Sequence, residues 1–428
     1  MQVKKEAEVI TQENQLAYRK INECLCCGSG EITTYLDLGE QPLANSYHKG
    51  ETQKTFPLTL KFCGVCYHSQ LGAVVSPDQM FRNYLYVSST TTTLQTHFNN
   101  LAEYALNYLG NRPKGVTVCD IACNDGLLLE AFLKHDNVKV LGIDPALNLR
   151  KITEAKGLPA LPDYWNKDII KKVQDRFDVI TACNVFAHVE NVHEFLDTCK
   201  KMINHDGVIV IEFPYGLETL MGNQFEQVYA EHVHYFTINS FYKLANTHEL
   251  VICDIVQTPV HGGSIRFTLK RKKGETSRLV PHLLFKEYNC GILNADFYRR
   301  YATTIENNAN KMKQSTNYLQ ERGYKIVGYG ASAKSCTMMN AWHIQPDYIV
   351  DDNALKHGFL TPGSNVEIKA PEALTLETEK FAIIMFAWNF FSEVIEKIKQ
   401  LVSPQMYDKI VILEYIPVVE ASSLTEYV

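Results

Sequence analysis

Gly115-Val-Thr-Val-Cys-Asp-Ile-Ala-Cys-Asn-Asp-Gly126 decides the fold. A strand-like run of β-branched residues leads into an acid, Asp120, and then into an Asn-Asp-Gly turn, which is how a nucleotide-like ligand is met at the carboxyl end of a parallel strand. The pattern of strand, turn and helix repeats downstream through Val138–Asp144, Phe177–Ala182 and Gly207–Glu212. Short apolar strands alternating with helical stretches imply an α/β chain with a mostly parallel, doubly wound sheet, running to about residue 255. Upstream, Pro77 to Leu109 reads as helix around a polar stretch, Ser88-Ser-Thr-Thr-Thr-Thr93. Downstream, Phe297–Arg322 is polar and periodic, a connecting helix, after which a second series begins at Tyr324–Gly330 and continues through Tyr348–Asp352, Phe381–Met385 and Ile410–Leu413. This is a second Rossmann-like unit.

The segment before residue 78 is of another kind. It is turn-rich and holds Cys24-x-x-Cys27 and Cys63-x-x-Cys66, separated by 35 residues. Two such knuckles present four thiolates to one ion, the spacing of a structural zinc site with a closed coordination sphere. So small a segment needs the metal as a staple. Of the other cysteines, Cys26 sits inside the first knuckle, and the remaining seven lie in apolar or motif contexts as reduced packing residues.

At 428 residues the chain exceeds what one hydrophobic core serves, so two or three domains are expected. Its 46% apolar and 21% charged content is that of a soluble globular protein. No apolar run approaches the roughly 20 residues that span a bilayer, and the start lacks a signal-peptide core, which places the chain in the cytoplasm. A net charge of −6 argues against nucleic acid as a partner. The compact basic run Lys270-Arg-Lys-Lys273 reads as a solvated strand end.

Three segments can carry chemistry. In the first α/β unit, Asp144 at the tip of the second strand is placed to accept from ribose hydroxyls, while the turn at Gly126 lets the backbone approach a ligand. No second glycine is present to admit a pyrophosphate, so S-adenosylmethionine fits better than a dinucleotide; the other reading is an empty structural turn. Next, Tyr229-Ala-Glu231-His232-Val-His234-Tyr235 crowds acid, imidazole and phenol into one segment, able to supply a base, its orienting partner and an oxyanion donor, or else a polar rim. His188 alone reads as a satisfied core histidine. Finally, Gly328-Tyr-Gly-Ala-Ser-Ala-Lys334, with Asp351 ending the next strand, is a nicotinamide fingerprint if taken literally, and equally suits the diphosphate of a nucleotide-sugar.

These residues together resemble the SAM-dependent C-methyltransferases of nucleotide-linked ketodeoxysugars. The likeness covers nearly the whole chain. Besides both knuckles it takes in Leu36-Asp-Leu-Gly39, Gln41-Pro-Leu-Ala-Asn45, Tyr84-x-Tyr-x-Ser-Ser89, Asn124-Asp-Gly126, Asn184-x-x-x-His188, Tyr229-x-Glu-His232, His261-Gly-Gly-Ser264, Gly328-Tyr-Gly-Ala331 and Trp388-Asn389. The resemblance implies a zinc-binding domain over 1–78, a class I methyltransferase core over 79–255 and a Rossmann-like nucleotide-sugar-binding domain over 256–428. It implies His232 as the base at C3 of a 4-keto sugar, assisted by Glu231, with Tyr229, Tyr86 and His188 as further active-site residues. It puts Asp120, Asn124, Asp125, Gly126, Asp144, Pro145 and Asn184 at the methyl-donor site, and Tyr84, His234, Gly263, Tyr329, Lys334 and Asn389 against the substrate. Cys24, Cys27, Cys63 and Cys66 hold the zinc.

Two departures stand out. Ala230 replaces a histidine common in relatives, and Ala122-Cys123 replaces the usual Gly-Ser of the donor loop. The partner implied is a dTDP-, GDP- or CDP-linked 4-keto-deoxysugar, handled by a monomer or weak homo-oligomer without nucleic acid or membrane. The competing expectation is a NAD-dependent nucleotide-sugar oxidoreductase using Gly328 and Asp351, although a Tyr-x-x-x-Lys pair is missing.

Overall fold

The computed structural model describes residues 18–82, 84, 87–90, 92–110, 112–271 and 275–427. The described residues begin with five strands: β1 (Tyr18–Lys20), β2 (Ile32–Pro42), β3 (Thr55–Cys63), β4 (Ser69–Leu71) and β5 (Ala73–Val75). Strands β2, β3 and β4 form an antiparallel sheet, and β1 pairs with β5 alone. The expected helix over 77–109 is two helices, Pro77–Phe81 and Thr92–Leu109. The second buries Leu94, Phe98, Leu101, Ala102, Ala105 and Leu109, spaced to form one face, against the helix Leu127–Leu133 and the central sheet.

The central sheet contains β6 (Val116–Ile121), β7 (Val138–Ile143), β8 (Ala160–Leu161), β9 (Phe177–Cys183) and β10 (Ile203–Pro214), all parallel, in the order β8-β7-β6-β9-β10. Helices cover both faces, so these strands are apolar nearly throughout rather than alternating. The short strand β11 (His234–Tyr235) then leaves this domain and pairs with β4, adding an edge to the N-terminal sheet. The chain returns as β12 (Leu250–Thr258) and β13 (Ser264–Arg271), with β13 inserted antiparallel between β10 and β12. One reversed strand in this place completes a seven-stranded sheet, the arrangement that the resemblance implies. The expected domain boundary at residue 255 falls within β12. Lys272 and Lys273 of the basic run lie outside the described residues.

The 27-residue helix Ala295–Glu321 links to the second α/β unit. There β14 (Lys325–Tyr329), β15 (Tyr348–Val350), β16 (Ile368–Lys369), β17 (Phe381–Met385) and β18 (Ile410–Glu414) are parallel in the order β16-β15-β14-β17-β18, and β19 (Glu420–Ser423) closes the edge antiparallel. Every strand read from the sequence in this unit is present.

An aromatic core ties the parts together. Phe236 lies 5.1 Å from Phe186, 5.3 Å from Phe213 and 4.6 Å from His68 of the N-terminal sheet, centroid to centroid. Fully burying each phenylalanine contributes about 1.5–3 kcal/mol. Among the described residues no helix is long and apolar enough to cross a membrane.

Candidate functional site

The cysteine knuckles meet. Cys24 Sγ lies 3.5 Å from Cys66 Sγ and Cys27 Sγ lies 3.7 Å from Cys63 Sγ, and all four sulfurs fall within 4.8 Å of one another. Sulfurs bound tetrahedrally at ~2.3 Å sit ~3.8 Å apart, so this donor set fits zinc and leaves no open position. The site is seated on the central domain, because Cys26 Sγ faces the Ser240 carbonyl and Asn239 Nδ2 donates to the Cys66 carbonyl at 3.1 Å.

The donor loop follows β6. Ala122 (φ 58°), Asn124 (φ 52°) and Gly126 (φ 85°) all take the left-handed region, so the chain coils tightly before the helix Leu127–Leu133. For Ala122 this conformation costs ~1–2 kcal/mol, a cost that the glycine expected at this place from the resemblance would not carry. Asp144 secures the loop: its Oδ2 accepts from Asn124 N at 2.9 Å and its Oδ1 from Ala146 N at 2.8 Å. Pro145 lies between Asp144 and Ala146, half-buried. Asp120 is buried and accepts from the Thr181 hydroxyl at 2.7 Å, and burial pushes its carboxyl up to about 7. A small cavity opens beside Cys123, Asn124, Asp144, Ala146, Leu161 and Pro162. Both carboxylate oxygens of Asp125, in the loop itself, and the amide oxygen of Asn184, just beyond β9, are buried without hydrogen-bond partners, although Lys156 Nζ lies 3.5 Å from Asp125. Orphaned acceptors in a left-handed loop fit the amino and hydroxyl groups of S-adenosylmethionine.

Four residues after Asn184, His188 stacks on Phe81 at 5.9 Å and stands 5.0 Å from the ring of His232. His232 is oriented from both sides. Its Nδ1 lies 2.8 Å from the Gln227 carbonyl, which assigns the proton there, and its Nε2 therefore accepts from the Tyr229 hydroxyl at 2.7 Å. Burial and the neighbouring His188 hold the His232 imidazole well below its ordinary range, so it is neutral and basic at Nε2. Burial likewise brings His188 down to about 4.

Glu231 joins three segments. Asn45 Nδ2 donates to its Oε1 at 2.6 Å and the Tyr84 hydroxyl to its Oε2 at 2.9 Å. Burial raises its carboxyl. Glu231 is thus held by Asn45 and Tyr84, while the His232 ring is oriented through the Gln227 carbonyl. Tyr84 spends its hydroxyl on this carboxylate. Tyr86 lies outside the described residues.

The C-terminal unit contributes Lys334, in the first turn of the helix Ala333–Trp342. Its ammonium lies 4.9 Å from the Trp388 ring centroid and 3.4 Å from Asn389 Oδ1. Gly262 and Gly263, with φ of 87° and 113°, let the loop between β12 and β13 approach, since a Cβ on Gly262 would stand 2.7 Å from Trp388.

Two expected substrate residues are placed elsewhere. His234 is buried in β11 with both ring nitrogens engaged, Nδ1 by His68 at 2.8 Å and Nε2 by the Val189 carbonyl at 2.9 Å, and therefore joins domains. Tyr329 is buried in the C-terminal core with its hydroxyl 3.3 Å from Asp352. Asn45, Glu226, Gln227 and Trp388 are site residues that the sequence reading did not assign. Asn45 and Trp388 did fall within the quoted motifs; Glu226 and Gln227 carried no local signal.

Comparison with known proteins follows the same division. Residues 24–81 match the family described as "Putative zinc binding domain", 94–253 "Methyltransferase domain" and 259–411 "C-methyltransferase C-terminal domain". The chain is 28% identical over 394 residues to the C-methyltransferase NovU of Streptomyces niveus, covering 89% of this chain and 93% of that one. Over 100 residues it is 31% identical to the ubiquinone biosynthesis O-methyltransferase of Rhodopseudomonas palustris (strain HaA2), covering 23% of this chain and 39% of that enzyme. Among solved structures, an S-adenosylmethionine-dependent methyltransferase from Clostridium acetobutylicum ATCC 824 aligns with a TM-score of 0.35 and 15% identity, over 42% of this chain and 92% of that one. The magnesium protoporphyrin IX methyltransferase of Synechocystis PCC 6803 aligns with a TM-score of 0.33 and 13% identity, over 41% and 79%. The oxidoreductase expectation finds no support in these matches. In the structure Asp351 spends its Oδ2 on Ala331 N at 2.7 Å and on Lys356, closing its own loop.

Proposed function

We propose that the chain is a SAM-dependent C-methyltransferase, a reading supported by its matches to zinc-binding, methyltransferase and C-methyltransferase domains and to a C-methyltransferase of similar length, and that it methylates C3 of a nucleotide-linked 4-keto-6-deoxysugar in branched deoxysugar biosynthesis. The observation that carries this reading is the neutral, doubly anchored His232, whose Nδ1 is held by the Gln227 carbonyl and whose Nε2 accepts from the Tyr229 phenol. Carbon becomes nucleophilic only after losing a proton, and a ketone beside it makes that loss feasible. His232 Nε2 takes the C3 proton, and the electron pair moves onto the C4 oxygen as an enolate. As the imidazole becomes cationic, Tyr229 turns from donor to acceptor and follows the charge. S-adenosylmethionine, when bound, supplies an electrophilic methyl group on sulfonium sulfur. Asp144, Asn124 and the Asp125–Gly126 turn hold the donor, and Asn184 and His188, on one short segment, connect its site to the base.

The zinc takes no part in these steps. Its four thiolates complete its coordination, and its role is to fix the N-terminal segment that delivers Asn45 to Glu231.

The test is incubation with S-adenosylmethionine and a panel of dTDP-, GDP- and CDP-linked 4-keto-6-deoxysugars in deuterated water. The expected result is a product one methyl group heavier, and donor-independent deuterium uptake at C3. Methyl transfer without any exchange at C3, or transfer to oxygen, overturns the proposal.

A further inference from the structure

Glu226 stands one residue before Gln227, whose carbonyl orients His232, yet it has no place in the mechanism above. Its side chain is fully buried. One carboxylate oxygen accepts from Trp388 Nε1 at 3.0 Å, across the joint between the central and C-terminal domains, and the other has no hydrogen-bond partner. An acid is expensive in such a place unless it is held for a purpose.

Two other contacts of the indole bear on the site. One edge packs against Gly262 so closely that no side chain fits there, and one face carries the Lys334 ammonium at 4.9 Å. Lys334 forms no salt bridge with any carboxylate among the described residues; its other polar neighbour is Asn389 Oδ1 at 3.4 Å. The ammonium is also close enough to His232 and His261 to disfavour their protonation. A cation without a salt bridge among the described residues therefore lies against the Trp388 ring, near the base, while a buried carboxylate holds the indole nitrogen.

Resting on the nucleotide-sugar reading, we infer that Glu226 is a positioning residue: by holding the Trp388 indole it fixes Lys334 for the diphosphate of the substrate. A flexible lysine otherwise loses rotamer entropy on ordering, and a cation seated on a fixed ring has met that loss before the anion arrives. Glutamate rather than a neutral acceptor also faces Lys334 through space, and burial with that cation leaves its carboxyl raised only to about 6. The groups that sense its charge are Lys334 on one side and the Tyr301 and Tyr415 phenols on the other.

The test measures binding of dTDP, GDP and CDP, each against its own nucleoside, by calorimetry on the full chain. For whichever nucleotide binds, Glu226→Ala and Trp388→Phe should each weaken the diphosphate about tenfold while leaving the nucleoside within twofold. Glu226→Gln, which keeps an oxygen for the indole, should stay within about threefold of the wild type. S-adenosylmethionine affinity serves as the folding control and should not move in any variant. Equal weakening of nucleoside and diphosphate, or wild-type diphosphate binding by both Glu226→Ala and Trp388→Phe, overturns the inference while leaving the proposed function standing. If no nucleotide binds the wild type, the nucleotide-sugar reading itself fails, and this inference with it.

Discussion

Tyr229 hydroxyl and His232 Nε2 stand 2.7 Å apart, and the same imidazole is tied through Nδ1 to the Gln227 carbonyl. One nitrogen is thereby committed to orientation, and on the proposed function the other is the base. His232→Ala should lower the methyl-transfer rate by about 10²–10⁴ and abolish deuterium uptake at C3, with donor affinity retained. Tyr229→Phe should cost about tenfold, the worth of one hydrogen bond to a developing charge. Rates near wild type for His232→Ala, at intact donor binding, contradict the assignment.

The pH dependence carries a sign. His232 acts as base only when neutral, and its pKa lies well below the ordinary imidazole value, so activity should be flat downward through pH 6.5 and fall only in more acid solution. A pH–rate profile with an acid limb at or above 6.5 would show a different base.

Stability should respond in a related window. His188, His234 and His261 are each depressed by burial to about 4, so each stays neutral in the folded chain while the unfolded chain takes up a proton near 6.5. Their contribution is complete above pH 6.5 and is lost as pH falls from there to about 4, on the order of 1–3 kcal/mol per ring. Asp120 and Glu226, raised to about 7 and about 6, act in the opposite sense over part of the same range. Thermal melts between pH 7 and pH 4 should show a net decline, and a midpoint rising on acidification would refute it.

Metal analysis should find one zinc per chain. Chelation or Cys63→Ser should lower the melting temperature and disturb the central domain too, because the knuckles share a core with Phe186 and Phe213. Metal loss that left both the melting temperature and the activity unchanged would exclude a structural zinc.

Gly142 reports on the unusual donor loop. A Cβ there would lie 2.4 Å from Cys123 Sγ, so Gly142→Ala should destabilise by about 1–3 kcal/mol. Adding Cys123→Ala should recover part of this loss in a double-mutant cycle, and purely additive effects would deny the contact. Ala122→Gly, which relieves a left-handed alanine, should be neutral or mildly stabilising.

Local pattern was enough for the parallel strands, since Val116–Ile121 and Phe381–Met385 are short apolar runs bounded by turn residues and appear with those same limits. The four metal-binding cysteines were legible from spacing alone. The pair β12 and β13 was not assigned to the central sheet, because its membership depends on a reversed insertion beside β10 that no local periodicity encodes. His234 and Tyr329 were misplaced for a related reason: a motif marks residues that matter without saying whether they face a ligand or the interior. Glu226 was invisible because only the meeting of two domains buries it.

The strand β11 belongs to the central domain in sequence and to the N-terminal sheet in space. The first 78 residues expressed alone would carry a bare sheet edge at β4 and an unmatched histidine at His68, and would tend to self-associate. Exchanging this segment between related enzymes should succeed only if the Tyr229–Tyr235 stretch travels with it, so catalytic loop and metal-binding head are inherited as one unit.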